Sequence, residues 1–210
     1  MRKSIAGFNP YQKPTPQGKL VATSDKFGNR GIKKMQGSSI VKYHFLPLPA
    51  GAIASGSSFR FFENAGATQF PFTNLMEGKL QVGEAMVLER MYFSVLTVLT
   101  ATNEITNIQN FTQFGALGLY LSQMNFFNAN NQVIKPTPLF QLKGQTNKSS
   151  QFFEQEVLKL DTDITLQPLI EFVCEVRTPL VTIPAVPLSS TFLGCIIEGS
   201  GAILNPRTNF

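Results

Sequence analysis

The hydrophobic and polar positions of this chain alternate in short segments, a pattern typical of β-strands. Residues 169–176 give the clearest example, because apolar side chains occupy the even positions while Glu171 and Glu175 occupy two of the odd ones. Residues 80–100 carry the strongest β signal, being dense in aliphatic, β-branched and aromatic residues without a cleanly polar face. This stretch predicts a central strand with contacts on both sides, and a helix from Glu84 to Met91 is the alternative.

The other segments predict further strands and the turns between them. Pro47 is expected to end the first strand. Within the central strand we expect strict alternation, with the even residues from Met86 to Leu96 on one face and the odd residues on the other. The predicted strands cover residues 40–46, 57–62, 116–127, 132–135, 139–143, 151–160 and 191–204, and the predicted turns cover residues 128–131 and 161–163.

These elements predict the fold class and the domain organisation. About eight to ten strands, long loops, no strong helix and no internal repeat indicate an all-β fold. We expect a single jelly-roll-like sandwich or barrel with an extended basic N-terminal arm. The predicted arm covers residues 1–38 and the predicted β-sandwich domain covers residues 39–210. A body of this size suits one eight-stranded jelly roll and is too short for two in tandem.

The positive charge is concentrated at the N-terminus. Residues 1–44 contain nine basic side chains against the single acidic Asp25, so they carry +8, whereas the remaining 166 residues carry −3. Such a polar segment with interspersed glycine and proline buries too little apolar surface to offset its ordering entropy, so we expect an extended or disordered arm. Its expected contacts are nucleic acid, an anionic membrane surface or neighbouring subunits, and a solvated tail is the alternative. The residues predicted to make these contacts are Arg2, Lys3, Lys13, Lys19, Lys26, Arg30, Lys33 and Lys34.

The composition changes the expected surface of the body. Charged residues make up 15% of the chain, compared with about 25% in an average domain. So little charge predicts that part of the surface is buried against neighbouring subunits. The sequence has no run of about 18 apolar residues, and its N-terminus lacks the apolar stretch of a secretory signal. We therefore predict neither a membrane span nor an export signal.

The sequence contains no pattern that predicts catalysis. His44 is the single histidine, lies in a predicted strand, and is interpreted as a packing or hydrogen-bonding residue. The motifs G-x-S-x-G and G-x-x-x-x-G-K-[ST] are both missing from the sequence. The carboxylate pairs Glu84 with Glu89 and Glu171 with Glu175 are interpreted as solvated or intersubunit surface rather than as a glycosidase site. The prediction is a protein that is not an enzyme, with no cofactor and no small-molecule substrate.

The cysteines and the Asp161-Thr162-Asp163 segment are the remaining candidates for metal or redox chemistry. Cys174 and Cys195 lie in apolar segments and are interpreted as buried free thiols of a protein made in the cytosol, with a disulfide as the open alternative. With one histidine and no closely spaced cysteine pair, no metal site is predicted. The Asp-Thr-Asp segment is interpreted as an ordinary turn rather than as part of a calcium site.

Taken together, the basic arm, the all-β body and the scarcity of charge resemble the jelly-roll capsid proteins of viruses. Residues 59–96, in which TNL and GE precede a long apolar strand, are similar to structural proteins of bacteriophages, including small tailless and lipid-containing ones. The resemblance implies icosahedral assembly with arms that reach between subunits. It implies a major, penton or accessory capsid protein located in the virion and made in the host cytoplasm. The implied partners are other copies of the chain and other capsid proteins, with the genome or an internal membrane as further contacts of the arm.

Other functions are also compatible with a β-rich chain of this kind. A tail or fibre attachment protein of a phage predicts a stable trimer with a ligand-binding tip. A nucleic-acid-binding module that uses the arm predicts tight, salt-sensitive binding by the isolated chain. A jelly-roll carbohydrate-active enzyme or lectin, that is a carbohydrate-binding β-sandwich, is the remaining alternative. The absence of tryptophan argues against sugar stacking, although tyrosine and phenylalanine can take that role.

Overall fold

The computed structural model describes residues 35–67, 70–110, 118–141 and 157–204. These residues form eleven β-strands and three short 3-10 turns, and no α-helix occurs among them. None of them forms a helix long and apolar enough to cross a membrane. The strands are β1 (Met35–Leu48), β2 (Gly51–Ile53), β3 (Ser58–Phe61), β4 (Glu84–Leu99), β5 (Glu104–Asn110), β6 (Gln123–Asn128), β7 (Asn131–Pro138), β8 (Val157–Leu166), β9 (Phe172–Arg177), β10 (Val181–Ile183) and β11 (Ser189–Leu204), and the 3-10 turns are Ala65–Ala67, Leu119–Leu121 and Leu139–Gln141.

Two antiparallel sheets pack face to face as a sandwich, which confirms the predicted all-β sandwich. In the first sheet the order is β1-β11-β4-β5, and β8 pairs with the part of β4 that β5 leaves free. In the second sheet the order is β3-β9-β6-β7, and β2 and β10 form a small separate pair. The core between the sheets is apolar, with Phe61, Phe126 and Phe172 among its largest fully buried side chains.

Strand β4 lies inside the first sheet, as predicted for residues 80–100. It pairs with β11 along one side and with β5 and β8 along the other, so the helical alternative is wrong. The expected strict alternation is also wrong, because the pairing register shifts between Leu88 and Arg90. Met86 and Leu88 face the core before this bulge, whereas the odd residues from Met91 to Val95 face it afterwards. An inserted residue moves every later side chain of a strand to the opposite face.

Several predicted boundaries differ from the structure because long-range pairing extends or shortens the local signal. Strand β1 continues through Pro47, which an edge strand tolerates, and it begins at Met35, so residues 35–38 of the predicted arm belong to it. The predicted turn over residues 161–163 is wrong, since these residues lie within β8 and its pairing with β4 surrounds them. The predicted strand over residues 139–143 is instead a 3-10 turn at Leu139–Gln141. The predicted turn at residues 128–131 is confirmed, since it connects the paired strands β6 and β7.

The free edge of β1 is covered by the segment Phe72–Leu75. The backbone N–H of Phe45 donates to the Phe72 carbonyl at 2.8 Å, and the hydroxyl of Thr73 donates to the Tyr43 carbonyl at 3.0 Å. The Asn74 side chain completes the cover, because its oxygen accepts from the Tyr43 N–H at 2.9 Å. An edge whose polar groups are satisfied in this way is poorly available to a strand from another molecule.

Candidate functional site

The eight basic residues predicted to make arm contacts all lie outside the described residues. They are Arg2, Lys3, Lys13, Lys19, Lys26, Arg30, Lys33 and Lys34. In the described body, loops collect at the two ends of the sandwich, and these ends are the candidate functional surfaces.

One end, called here the uncharged end, is formed by residues 49–57, 100–110, 118–122, 139–141 and 178–188. Backbone contacts hold these segments together. Strand β2 pairs with β10, and the N–H of Leu139 donates to the Ser122 carbonyl at 2.8 Å. The N–H of Thr100 donates to the Leu188 carbonyl at 3.1 Å, which ties the β4–β5 turn to the segment before β11. A Cβ built on Gly118 would lie 3.4 Å from the side chain of Val181 in β10, so the five segments are neighbours at this end.

This surface exposes large apolar side chains and carries almost no charge. Leu188 is 83% exposed and Leu180 is 71% exposed, and Glu104 is the one charged side chain among its residues. The other exposed apolar side chains are Ile105, Ile108, Tyr120, Leu121, Phe140 and Val186. Exposed apolar patches on a protein surface mark contact sites, and the centres of such contacts are depleted in charge. The uncharged end therefore has the chemistry of a surface that packs against another macromolecule.

The opposite end, called here the charged end, is formed by residues 62–67, 70–83, 129–130 and 167–171. The N–H of Leu169 donates to the Leu80 carbonyl at 3.0 Å, and the N–H of Ala129 donates to the Glu171 carbonyl at 2.7 Å. An open cavity of about 700 Å³ lies here, and its lining includes Glu63, Glu77 and Glu171. This end also exposes the apolar side chains of Phe70, Met76, Val82 and Leu169, but its segments include four charged residues.

The charges of this cavity are largely neutralised by neighbours. The ammonium of Lys79 lies 2.7 Å from a carboxylate oxygen of Glu77, and their hydrogen bond raises the pKa of Lys79. The guanidinium of Arg60 lies 2.8 Å from a carboxylate oxygen of Glu63. Among the described residues, no three side chains of histidine, cysteine, aspartate or glutamate come together as metal ligands. The cavity is therefore an exposed ionic surface in which Glu63 and Glu77 are paired with basic neighbours.

The outer face of the second sheet carries a polar network centred on Glu175. Its carboxylate accepts hydrogen bonds from the Ser58 hydroxyl at 2.8 Å and from the Asn125 amide at 3.2 Å, and Arg177 lies 3.4 Å away. Gln132 extends the network by donating to the Asn125 oxygen at 3.2 Å. Burial alone raises the pKa of Glu175, but the hydrogen bonds from Ser58, Asn125 and Arg177 outweigh it and leave this pKa below its ordinary value. The network ties together all four strands of this sheet.

His44 is buried in the core, which confirms its interpretation as a packing and hydrogen-bonding residue. Its Nδ1 accepts the backbone N–H of Phe62 at 2.8 Å, and its ring contacts Phe61 edge-on. Burial lowers the pKa of His44 to about 4, so the imidazole is neutral at neutral pH. Cys174 and Cys195 are both buried free thiols, as expected from the sequence.

The uncharged end was not among the features predicted from the sequence, although its composition leaves a signal there. No charged residue occurs between Arg177 and Glu198, and none occurs between Glu104 and Lys135. Both stretches contribute to this end. The Glu175 network has no comparable signal, because its members come from four strands that only the pairing brings together.

Comparisons with protein-family models, with curated proteins and with solved structures give no match to this chain.

Proposed function

We propose that this chain is a structural virion protein whose jelly-roll body self-assembles into an icosahedral capsid shell. The order of the strands carries the proposal. When the eight principal strands β1, β3, β4, β6, β7, β8, β9 and β11 are lettered B to I in chain order, the first sheet becomes B-I-D-G and the second becomes C-H-E-F. That order is characteristic of a jelly roll, a fold used by viral capsid proteins. In this assignment β5 extends the edge of the first sheet, while β2 and β10 lie in the B–C and H–I connections.

The uncharged end supports self-assembly as the function of this fold. A shell subunit has to bury large parts of its surface against its neighbours, and apolar surface supplies about 25 cal/mol for each Å² removed from water. The described loops between β9 and β11 are rich in apolar residues and lack charge, as the core of such a contact requires. We assign this end to contacts with neighbouring copies or with other capsid proteins.

In this proposal the basic N-terminal residues tether the body to a neighbour, to the packaged genome or to an internal membrane surface. Residues 1–44 carry +8 and the rest of the chain carries −3, so the arm and the body attract one another between copies. The protein would reside in the virion as a major, penton or accessory shell protein after synthesis in the host cytoplasm.

Jelly rolls also occur in lectins. The polar outer face of the second sheet is the surface that would bind sugar in such a function. A sugar-binding face needs amide and carboxylate groups that are available to hydroxyl groups of the ligand. Here the carboxylate of Glu175 already accepts from Ser58 and Asn125, and the Asn125 oxygen accepts from Gln132. These groups are used in holding the strands together, which favours the shell function over sugar binding.

The first test measures the mass of the purified full-length protein by light scattering over a range of concentrations, followed by electron microscopy. Large defined particles, pentamers or trimers are expected for the wild type. The double variant Leu180→Asp/Leu188→Asp is expected to raise the concentration needed for assembly at least about ten-fold, because each aspartate places a charge in an apolar contact. The control Met76→Asp/Val82→Asp changes side chains that are 75% and 76% exposed at the charged end, and it is expected to assemble normally.

Two results would contradict this proposal. A wild-type protein that stays monomeric at every concentration, with or without added nucleic acid, would argue against a shell subunit. Equal loss of assembly in the two double variants would argue against the uncharged end as the contact surface.

Deletion of residues 1–34 tests the arm and stops just before β1 begins at Met35. The truncated protein is expected to unfold at the same temperature as the full chain, because all the strand pairings described above lie within residues 35–204. Its assembly is expected to need a several-fold higher concentration and to depend less on salt, since fewer charges take part. A truncated body that fails to fold would refute the assignment of these residues as an arm.

A further inference from the structure

The two cysteines of the chain lie in opposite sheets and are buried in the same core. They belong to none of the surfaces described above. Cys174 lies on β9 of the second sheet and Cys195 lies on β11 of the first sheet. Both side chains are fully buried and belong to the same apolar cluster. Neither is explained by the proposed assembly function, which uses the outside of the sandwich.

The strand registers place the two cysteines at the same level of the core. Cys174 is paired with Phe61 of β3, and Cys195 is paired with Phe93 of β4. The rings of Phe61 and Phe93 meet edge to face across the core, with their centroids 6.2 Å apart. Burial, and then the neighbouring Cys174 thiol, raise the pKa of Cys195 well above its ordinary value. The strand registers, the ring contact between Phe61 and Phe93 and the shared apolar cluster therefore place the two thiols on facing strands of one core, and the raised pKa of Cys195 agrees with this placement.

We propose that Cys174 and Cys195 form a disulfide site, at which oxidation links the two sheets of the sandwich. A β-sandwich accommodates such a bond, since immunoglobulin domains carry a disulfide between their two sheets. The oxidant is a small-molecule disulfide such as oxidised glutathione. A cysteine thiolate displaces one glutathione thiolate to give a mixed disulfide, and the second cysteine thiolate displaces the other, so that two thiols and one disulfide become one protein disulfide and two glutathione thiols.

Burial makes this site slow to react while the protein is folded. The raised pKa of Cys195 keeps the thiolate scarce, and the reagent reaches the core only when the sandwich opens transiently. The reduced pair is therefore expected to persist in a reducing cytosol and to be converted after transfer to an oxidising environment.

The disulfide would close the segment from Cys174 to Cys195, which contains β10 and the part of the uncharged end at residues 178–188. Closing this loop restricts the unfolded chain and stabilises the fold. The inference concerns the core of the single chain and holds whether or not the chain assembles into shells.

The test uses the full-length protein purified in reductant and then incubated with oxidised glutathione, without and with a low concentration of urea. The expected product is an intrachain Cys174–Cys195 disulfide, seen as a mass lower by about 2 Da and as a linked peptide after digestion. Low urea is expected to accelerate its formation. The oxidised protein is expected to unfold at a temperature about 5–10 °C above that of the reduced protein.

The variants Cys174→Ala and Cys195→Ala serve as controls. Each is compared with itself before and after oxidation, so that the loss of stability caused by the smaller side chain is the same in both measurements. Neither is expected to show an intrachain bond or an oxidation-dependent rise in unfolding temperature. Two free thiols that persist in the wild type through repeated partial unfolding would overturn the proposal. Stable glutathione adducts without an internal bond, or disulfides only between chains, would overturn it equally.

Discussion

In the first sheet, β1, β11 and β4 run side by side for 14 to 16 residues each, whereas the strands of the second sheet span four to eight residues. The long strands approach one another through glycines. A Cβ at Gly199 would overlap the carbonyl oxygen of Val87, and one at Gly194 would overlap the ring of Phe45. The short strands of the second sheet are instead tied across their outer face by the hydrogen bonds of Glu175.

This difference shows that the two sheets of one sandwich are stabilised by different interactions. Long pairing provides many backbone hydrogen bonds. It also requires β11 to approach β4 closely at the bulge between Glu198 and Gly199, where there is no room for a side chain. Short strands provide few backbone hydrogen bonds, and a partly buried carboxylate adds charge-assisted ones. We therefore expect the strand pairing of the first sheet to be sensitive to added volume, and the outer-face network of the second sheet to be sensitive to the loss of the Glu175 charge.

The largest effect is expected for Gly199→Ala in the first sheet. The added methyl group meets the backbone of Val87, which cannot move without breaking the pairing with β4, so the free energy of unfolding should fall by at least about 3 kcal/mol. Denaturant unfolding measures this loss. The control Gly56→Ala has a positive φ, unlike Gly199, but has open space around it, and it should cost about 1 kcal/mol through backbone strain alone. Equal costs in the two variants would show that steric room at the bulge is unimportant.

The next effect concerns His44, which joins the two sheets through the Phe62 N–H. Its pKa of about 4 lies below the value of 6.5 in the unfolded chain, so the unfolded state binds the proton more readily. Above pH 6.5 the imidazole is neutral in both states and protonation costs the folded state nothing. The free energy of unfolding should fall by about 3 kcal/mol in total as the pH falls from 6.5 to 4. Unfolding measured across this range tests the decline. The variant His44→Leu should be less stable and should lack this slope, and retention of the slope would assign it to another group.

The smallest effect is expected for Glu175→Gln in the second sheet, with a loss of about 1–2 kcal/mol at neutral pH. The pKa of Glu175 is lowered in the folded state, so its contribution is present above the ordinary pKa and is lost as the pH falls through the folded pKa. The difference between wild type and variant should therefore shrink in acid. Glu171→Gln, at an exposed position just before β9, should change stability by less than about 0.5 kcal/mol. A difference that is constant from neutral pH into acid would show that the charge of Glu175 contributes nothing.

The fold class was predictable wherever a strand has one buried face. At residues 169–176 the alternation predicts which side chains enter the core, and Phe172, Cys174 and Val176 are indeed fully buried. The alternation failed at residues 86–96, because the bulge near Glu89 depends on pairing with β8 and β11. The candidate contact surface was predictable only in part, from stretches that lack charge.

The sequence by itself determined the all-β character, the separation of basic N-terminal charge from an acidic body, and the scarcity of charge that marks the uncharged end. These properties follow from side-chain chemistry and from local periodicity. The tertiary structure alone decided that Met35 pairs with Leu204, that Cys174 and Cys195 share one apolar cluster, and that Glu175 meets Ser58 and Asn125. Such contacts join residues far apart in the chain, and their energies arise only after both sheets have formed and packed.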